Sequence, residues 1–154
     1  MSDFPPVAEL LLHRGSMLLL HRVTAFSSDS VTCSAIPDRQ AWYASGSEEG
    51  MPAWIGIELM AQAIAAHAAL LARQLETPPK PGALLGTRAY GSSCAAFAPD
   101  VPLQIEARQT FRDAGGLASY DCTIGLPGQP ALATAALTVF EPDDFEQFIR
   151  GGEN

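Results

Sequence analysis

The sequence predicts an α+β architecture in which an antiparallel sheet curls around one long central helix. The first observation is the stretch from Gly50 to Glu76, which is apolar almost all round and long enough for about seven helical turns. The second is that two strand-like runs precede this stretch and four follow it. The third is that turn-forming residues separate the last three runs, so neighbouring strands fold back on each other.

Length and composition limit the possible classes of protein. The 154 residues suit a single domain covering 1–154, and 47% apolar with 17% charged residues is an ordinary globular composition. A net charge of −8 disfavours nucleic acid as a partner. Cys33, Cys94 and Cys122 are widely spaced, which indicates reduced thiols in the cytoplasm rather than a disulfide framework. The N-terminal apolar run is too short for a signal peptide. No ligand residues have metal-site spacing, and no cofactor is expected.

The N-terminal third is predicted to contain a short helix and a strand pair. Pro5 and Pro6 precede the helical run VAELLLHRG, which Gly15 can end. Met17 to Ala25 then reads as a largely buried strand, and Ser30 to Ile36 as its alternating neighbour. Residues 37–51 are rich in turn formers and are predicted to form a loop before the central helix that is either mobile or ligand-facing.

The central helix is predicted to start at Pro52, because proline suits a first helical position that needs no N–H donor. From there to Ala72 the strongly polar side chains are Glu58, Gln62 and His67. The helix is also about as long as a membrane span. These three polar side chains and the lack of a basic flank favour a soluble protein instead.

Four strand-like runs follow a proline-rich connector at residues 77–82. They are ALLGTRAYG (83–91), VPLQIEARQTFRD (101–113), LASYDCTIGL (117–126) and ALATAALTVFEP (131–142). In the second run, Ile105, Ala107, Gln109 and Phe111 are predicted to share the covered face. Residues 143–154 are predicted to form a short helix and a frayed tail.

Two strands, a long helix and four strands is the order of elements in the hot-dog fold. Such a sheet leaves an edge strand exposed, and pairing of two sheets in a dimer is the expected way to cover it.

Glu58 is the first candidate for a functional residue. A carboxylate on a buried helix needs a partner or a raised pKa, and such positions are enriched in function. Glu58 lies about one and a half turns after Pro52, near amides that the first turn leaves unpaired. Gln62 follows at i+4 on the same face, whereas His67 lies on the opposite side of the helix. A structural hydrogen bond or solvent exposure is the alternative interpretation of Glu58.

Two motifs resemble those of a known enzyme family. LLHRGSMLLLHRV (11–23) resembles the "LPHR-P-LL-DRV" opening of the β-hydroxyacyl-acyl-carrier-protein dehydratases, and MPAWIGIELMAQA (51–63) resembles their "PG-L-E-MAQ" helix start. The sequence is most similar to the predicted 3-hydroxyacyl-carrier-protein dehydratases of aryl-polyene gene clusters. The resemblance covers most of the chain and implies the hot-dog fold.

The resemblance implies removal of water from a 3-hydroxyacyl thioester. In the family a histidine takes the α-proton, a helix carboxylate handles the hydroxyl, and a helix-start N–H holds the thioester carbonyl. It assigns the carboxylate to Glu58 and the N–H to Ala53. Trp54, Gly56 and Gln62 would shape the pocket and hold Glu58. The positive end of the helix dipole would stabilise the developing enolate.

The chain departs from the better-known dehydratases at the base. Their loop histidine precedes the acid by about fourteen residues, and Ala44 stands at that distance here. His13 in the opening motif is the candidate replacement, and a helix C-terminal residue bonded to backbone carbonyls is its alternative role. His21 is expected to be structural and His67 to be a core histidine.

Three functions follow from this pattern. The first is a cytoplasmic 3-hydroxyacyl-thioester dehydratase acting on acyl carrier protein or coenzyme A thioesters. The second is a hot-dog acyl-thioesterase in which Glu58 activates water and no histidine is needed. The third is a partner subunit that completes a heterodimeric dehydratase. A homodimer or a heterodimer with another hot-dog chain is expected.

Overall fold

The computed structural model describes residues 4–44, 50–78, 82–142 and 150, and it has the predicted α+β hot-dog architecture. Six strands form one antiparallel sheet in the order β1-β2-β6-β7-β8-β4. A short two-stranded ribbon pairs β3 with β5. The strands are β1 (Arg22–Ser27), β2 (Ser30–Ala35), β3 (Met51–Pro52), β4 (Ala83–Ser92), β5 (Ala96–Phe97), β6 (Leu103–Arg112), β7 (Leu117–Gly125) and β8 (Ala131–Phe140).

The central helix α2 (Gly56–Gln74) follows one 3-10 turn, Ala53–Ile55, so the sequence places the start of the helical segment correctly. The helix packs against β2, β6 and β7 inside the curve of the sheet. Leu59, Met60 and Ala63 are fully buried there. Removing such side chains from water is the main favourable contribution to folding, at about 1.5–3 kcal/mol for each large one.

The segment Ala53–Gln74 is long and apolar enough to cross a membrane by length and composition alone, but most of it is buried by the sheet. It is therefore the core helix of a soluble fold. The apolar surface that would face lipid in a membrane protein faces β2, β6 and β7 here.

The N-terminal elements are shorter than the sequence predicts. The first helix, α1, covers Val7–Leu10, and a 3-10 turn follows at Gly15–Met17. The strand expected from Met17 begins only at Arg22. The reason is tertiary, because the N–H groups of Leu19 and Leu20 point to the side chain of Gln62 instead of a neighbouring strand.

The later strands agree with the predicted runs to within a few residues. The Asp113–Gly116 turn forms as expected, with the Asp113 carboxylate accepting the N–H groups of Gly115 and Leu117. Phe111 is a correction, because the β6–β7 pairing shifts register between Gln109 and Phe111 and leaves that ring exposed. Most of the predicted C-terminal helix and residues 79–81 of the connector lie outside the described residues.

The sheet has two edge strands, β1 and β4, in agreement with the expectation of an unpaired edge. Strand β4 carries two exposed leucines, Leu84 at 43% and Leu85 at 52%. An apolar edge strand favours pairing with another sheet.

His67 is fully buried and belongs to a polar network in the core, as the sequence predicts for this residue. Its Nδ1 lies 2.7 Å from the Tyr120 hydroxyl and its Nε2 lies 3.1 Å from the Ser27 carbonyl oxygen. A carbonyl only accepts, so Nε2 carries the proton and Nδ1 accepts from Tyr120. The Tyr120 oxygen in turn accepts a hydrogen bond from Arg112, at 3.1 Å. Burial lowers the pKa of His67, and it raises the pKa of Tyr120 to about 12.

This network predicts a pH-dependent stability. The folded chain holds His67 neutral with a pKa below its ordinary 6.5, so the unfolded chain binds more protons as the pH falls. Stability from this residue is therefore present above about pH 6.5 and is lost as the pH falls below that value. We expect the urea midpoint to fall less between pH 7.5 and 5.5 in His67→Gln than in the parent chain.

Gln129→Leu is the control, because Gln129 lies in the exposed turn between β7 and β8 and carries no titratable group. It should keep the parental pH dependence. If the parent and His67→Gln lost the same stability between pH 7.5 and 5.5, the buried histidine would not be the cause of that loss.

Candidate active site

Glu58 lies in the first turn of α2, where the N-terminal end of the helix meets a surface cavity. Its side chain is 40% exposed, so the carboxylate is half-buried rather than sealed in the core. The position near the helix N-terminus favours a negative charge because unpaired amides and the helix dipole act there.

His13 is the partner of Glu58. Its Nε2 lies 3.1 Å from the Glu58 Oε1, and the imidazole is 33% exposed. The other ring nitrogen, Nδ1, is buried and makes no hydrogen bond within the described part of the chain. The Arg14 guanidinium donates to the carbonyls of Leu11 and His13, which holds the chain after α1 in the turn that aims the imidazole.

Gln62 holds the same carboxylate from the next turn of the helix. The fully buried side chain donates to Glu58 Oε1 at 3.0 Å and to the Met17 carbonyl at 2.8 Å. Its oxygen accepts the N–H of Leu19 at 3.0 Å and a longer contact from Leu20 at 3.4 Å. This one amide therefore connects the catalytic candidate to the segment that precedes β1.

The two oxygens of Glu58 have different surroundings. Oε1 is contacted by both His13 and Gln62. Oε2 makes no hydrogen bond to any described residue. The pair can therefore pass a proton internally through Oε1 while Oε2 faces a substrate hydroxyl or a water.

The cavity beside the pair has a volume of about 340 Å³, which is within the range of small-molecule sites. One face of α2 forms its floor, with small side chains at Ala61, Ala65 and Ala68. From Glu58 to Ala69 this floor runs about 16 Å along the helix. The opposite walls come from the segment after α1, the start of β4 and the end of β8; their residues include Leu10, Leu11, Leu12, Gly82, Ala83, Leu84, Val139 and Glu141.

Four predicted site residues lie outside the lining of this cavity: Gln62, which holds Glu58 from below, and Ala53, Trp54 and Gly56. The Ala53 N–H donates to the Ala95 carbonyl at 2.9 Å, which contradicts the expectation that it is free for a thioester. Trp54 is the next residue along the chain, and it is 65% exposed. Gly56 is buried against Tyr90 and Ile124, where a Cβ would lie 3.2 Å from Tyr90 Cζ and 3.1 Å from Ile124 Cδ1.

The remaining histidines and cysteines do not join the site. His21 accepts the Ile36 N–H at 3.1 Å, and His67 belongs to the core network. Burial raises the pKa of Cys33 and that of Cys122 to about 12, so both thiols stay protonated at neutral pH. Within the described ranges, no three His, Cys, Asp or Glu side chains cluster closely enough to hold a metal ion.

Two features of the site were not predicted from the sequence. The alanine floor has a helical spacing of three and four residues, a signal that was present in the sequence. The contact of Tyr90 with Ala53 and Gly56 crosses from an edge strand to the helix start, and no local pattern indicates it.

A family model described as ApeP dehydratase, of the ApeP-like group, matches residues 5–150. The chain belongs to the ApeP dehydratase family. Membership makes it a hot-dog dehydratase, as the motifs at residues 11–23 and 51–63 predicted. No curated protein sequence matches the chain.

Solved structures agree with this assignment to the ApeP dehydratases. The chain is similar to one in the dehydratase heterocomplex ApeI:P from Xenorhabdus doucetiae, with 25% identity, a TM-score of 0.85, and coverage of 99% of this chain and 100% of that chain. It also shares its fold with a hypothetical thioesterase protein with coenzyme A from Streptococcus pneumoniae, at 13% identity and a TM-score of 0.57, covering 77% of this chain and 83% of that one. The PaaI protein of Escherichia coli is similar at 11% identity and a TM-score of 0.59, covering 77% and 81%.

The Gln62 network predicts a large stability loss when its amide is removed. Gln62→Leu would leave the buried Leu19 N–H without its partner and would also remove the partner of the half-buried Met17 carbonyl. We expect the free energy of unfolding to fall by about 2–4 kcal/mol. Urea denaturation followed by circular dichroism measures this change.

Gln129→Leu is the matched control, because Gln129 lies in the exposed turn between β7 and β8. It should change stability by about 0.5 kcal/mol or less. A similarly small effect for Gln62→Leu would mean that the amide does not hold the segment.

Proposed function

We propose that the chain removes water from a 3-hydroxyacyl thioester, with His13 as the base and Glu58 as the acid. The observation that carries this proposal is the 3.1 Å contact between His13 and Glu58 at the edge of an apolar cavity, in a chain of the ApeP dehydratase family. The contact also supports His13 as the replacement for the missing loop histidine.

The reaction needs a neutral His13 and a protonated Glu58. His13 takes the proton from the α-carbon, the electron pair forms the carbon–carbon double bond, and the β-carbon–oxygen bond breaks. Glu58 gives its proton to the departing hydroxyl through Oε2, and water leaves. The product is the trans-2-enoyl thioester. The contact between His13 Nε2 and Glu58 Oε1 then allows the abstracted proton to return to the carboxylate and restore the starting state.

The thioester carbonyl needs a hydrogen-bond donor while negative charge develops on its oxygen. The Ala53 N–H is engaged by Ala95, whereas the Trp54 N–H donates to no described residue. We assign the donor role to Trp54, one residue after the position that the family resemblance suggests, which places the thioester beside the cavity rather than within its lining. The positive end of the α2 dipole supports a donor at this turn.

The apolar floor along α2 supports an acyl chain as the part of the substrate that the cavity holds. The thiol carrier is an acyl carrier protein or coenzyme A. A carrier protein, being acidic, must dock against the overall charge of −8, so it needs a local basic patch. The three cysteines support a cytoplasmic location.

A second hot-dog chain is the partner that the structure favours. The dehydratase of Xenorhabdus doucetiae is a heterocomplex, and strand β4 exposes apolar side chains at its edge. Pairing along β4 would extend the sheet and cover the side of the cavity that β4 lines.

Substitution at the proton-transfer pair tests the activity. Glu58→Gln and His13→Asn should each lower turnover of 3-hydroxyacyl thioesters by about 10² to 10⁴, because each removes one proton-transfer group. Loss of water from the acyl group is followed by mass spectrometry, and free thiol is measured in parallel. Carrier-protein and coenzyme A substrates are compared, with the chain alone and with a co-expressed hot-dog partner.

Glu106→Gln is the control, because Glu106 is a carboxylate on β6 that forms an ion pair with Arg108 away from the cavity. It should keep parental turnover. Release of free thiol without enoyl product would make the chain a thioesterase. A complex that keeps full activity with Glu58→Gln would make it a supporting subunit.

The edge-strand interface gives a separate prediction. Leu85→Glu should prevent association along β4, because a charge would be buried in the paired edge. Sizing chromatography with light scattering should show a dimer for the parent, alone or with its partner, and a monomer for this variant. Phe111→Glu changes an exposed ring on β6 and should leave the dimer intact. A monomer under all conditions would contradict the proposed pairing.

A further inference from the structure

Strand β4 is irregular at the point where it passes the start of α2. Its pairing with β8 shifts register between Arg88 and Gly91, and Ala89 adopts a left-handed backbone with φ of 55°. For a residue other than glycine, this backbone conformation costs of order 1–3 kcal/mol and persists only where the surrounding structure enforces it. Irregularities of this kind re-aim a neighbouring side chain. Tyr90 is the residue whose direction is set here.

Tyr90 points from the bulge to the turn that begins the central helix. Its hydroxyl donates to the Ala53 carbonyl oxygen. The same carbonyl accepts the Gly56 N–H, which closes the 3-10 turn. Burial raises the pKa of the Tyr90 hydroxyl, so it remains a donor at neutral pH.

Gly56 provides the space for this contact. A Cβ at this position would lie 3.2 Å from Tyr90 Cζ and closer still to the hydroxyl, with Ile124 Cδ1 at 3.1 Å on the other side. Gly56 is the first residue of α2, and a glycine loses more backbone freedom than alanine when it is fixed in a helical conformation. Its presence two residues before Glu58 is explained by the tyrosine ring that packs against its backbone.

The Tyr90 hydroxyl therefore fixes the orientation of the peptide group between Ala53 and Trp54. Its carbonyl accepts from Tyr90, and its N–H points the opposite way because the peptide is planar and trans. The preceding N–H, on Ala53, is held by the Ala95 carbonyl at 2.9 Å. When the carbonyl of a peptide group accepts a hydrogen bond, the N–H of the same peptide group becomes a stronger donor.

We propose that Tyr90 is a positioning residue, which fixes the helix turn that carries Glu58 and presents the Trp54 N–H. The geometry of this role rests on the contacts with Ala53 and Gly56, and its effect on catalysis rests on the dehydratase function proposed above. Tyr90 lies outside the cavity lining, so it acts through the turn rather than on the substrate.

Tyr90→Phe tests the role of the hydroxyl while keeping the ring. Amide exchange at Gly56, followed by NMR, should be about fivefold faster, because the carbonyl that closes the turn loses one of its two donors. In the dehydration assay, kcat should fall about tenfold while KM stays within about twofold, since the ground-state contacts of the substrate are unchanged.

Tyr43→Phe is the matched control, because its hydroxyl also bonds to backbone, accepting the Asp38 N–H at 2.8 Å, but does not reach α2. It should leave kcat and the Gly56 exchange rate at parental values. A Tyr90→Phe chain that behaves like this control in both measurements would overturn the proposal.

Gly56→Ala tests the same contact from the helix side. The added methyl group should displace Tyr90 and reproduce the faster turn opening and the lower kcat. Gly86→Ala on β4 is its control, because a Cβ at Gly86 has no neighbour within 4 Å. Normal exchange in Gly56→Ala would show that the turn does not depend on Tyr90.

The exchange measurement separates the two proposals. If the parent chain, with its partner, removes no water from any 3-hydroxyacyl thioester, the proposed function fails. The positioning of the turn by Tyr90 is then still decided by the exchange rates alone. If dehydration occurs but Tyr90→Phe changes neither exchange nor kcat, only the positioning role fails.

Discussion

The carboxamide of Gln62 is the interaction on which the site depends. It donates to Glu58 and to the Met17 carbonyl, and its oxygen accepts from Leu19 and Leu20. A buried amide of this kind is costly if any partner is missing, so all of its contacts tend to form together. The segment before β1 is thus tied to the helix, and the chain just upstream brings His13 over the cavity.

A second polar network stabilises the opposite side of the helix without sharing a residue with the first. His67, Tyr120, Arg112 and Glu141 are joined by hydrogen bonds through the core, and Arg112 lies 3.3 Å from Glu141. Glu141 also lines the cavity, so this network ends on the wall that faces an acyl group. The central helix is therefore held by polar contacts on two faces and by apolar packing between them.

The fold alone does not decide the chemistry. The hypothetical thioesterase protein and the PaaI protein share this architecture at TM-scores of 0.57 and 0.59 with 11–13% identity, which is a similarity of fold alone. The family match over residues 5–150 identifies a dehydratase. The proposed roles of His13 and Glu58 would give this assignment a chemical basis, because the reaction takes one proton off carbon and delivers another to oxygen.

Sequence periodicity alone determined the central helix, the later strands and the candidate acid at Glu58, because these depend on local patterns of apolar residues and turn formers. The family motif added the dehydratase chemistry. The contact of His13 with Glu58, the late start of β1 and the contact of Tyr90 with Ala53 were decided by tertiary structure. Each joins residues 37 or more positions apart, and no local pattern encodes such a distance. The hydrogen bond of the Ala53 N–H was also decided by tertiary structure, because its acceptor, the Ala95 carbonyl, lies in a loop far along the chain.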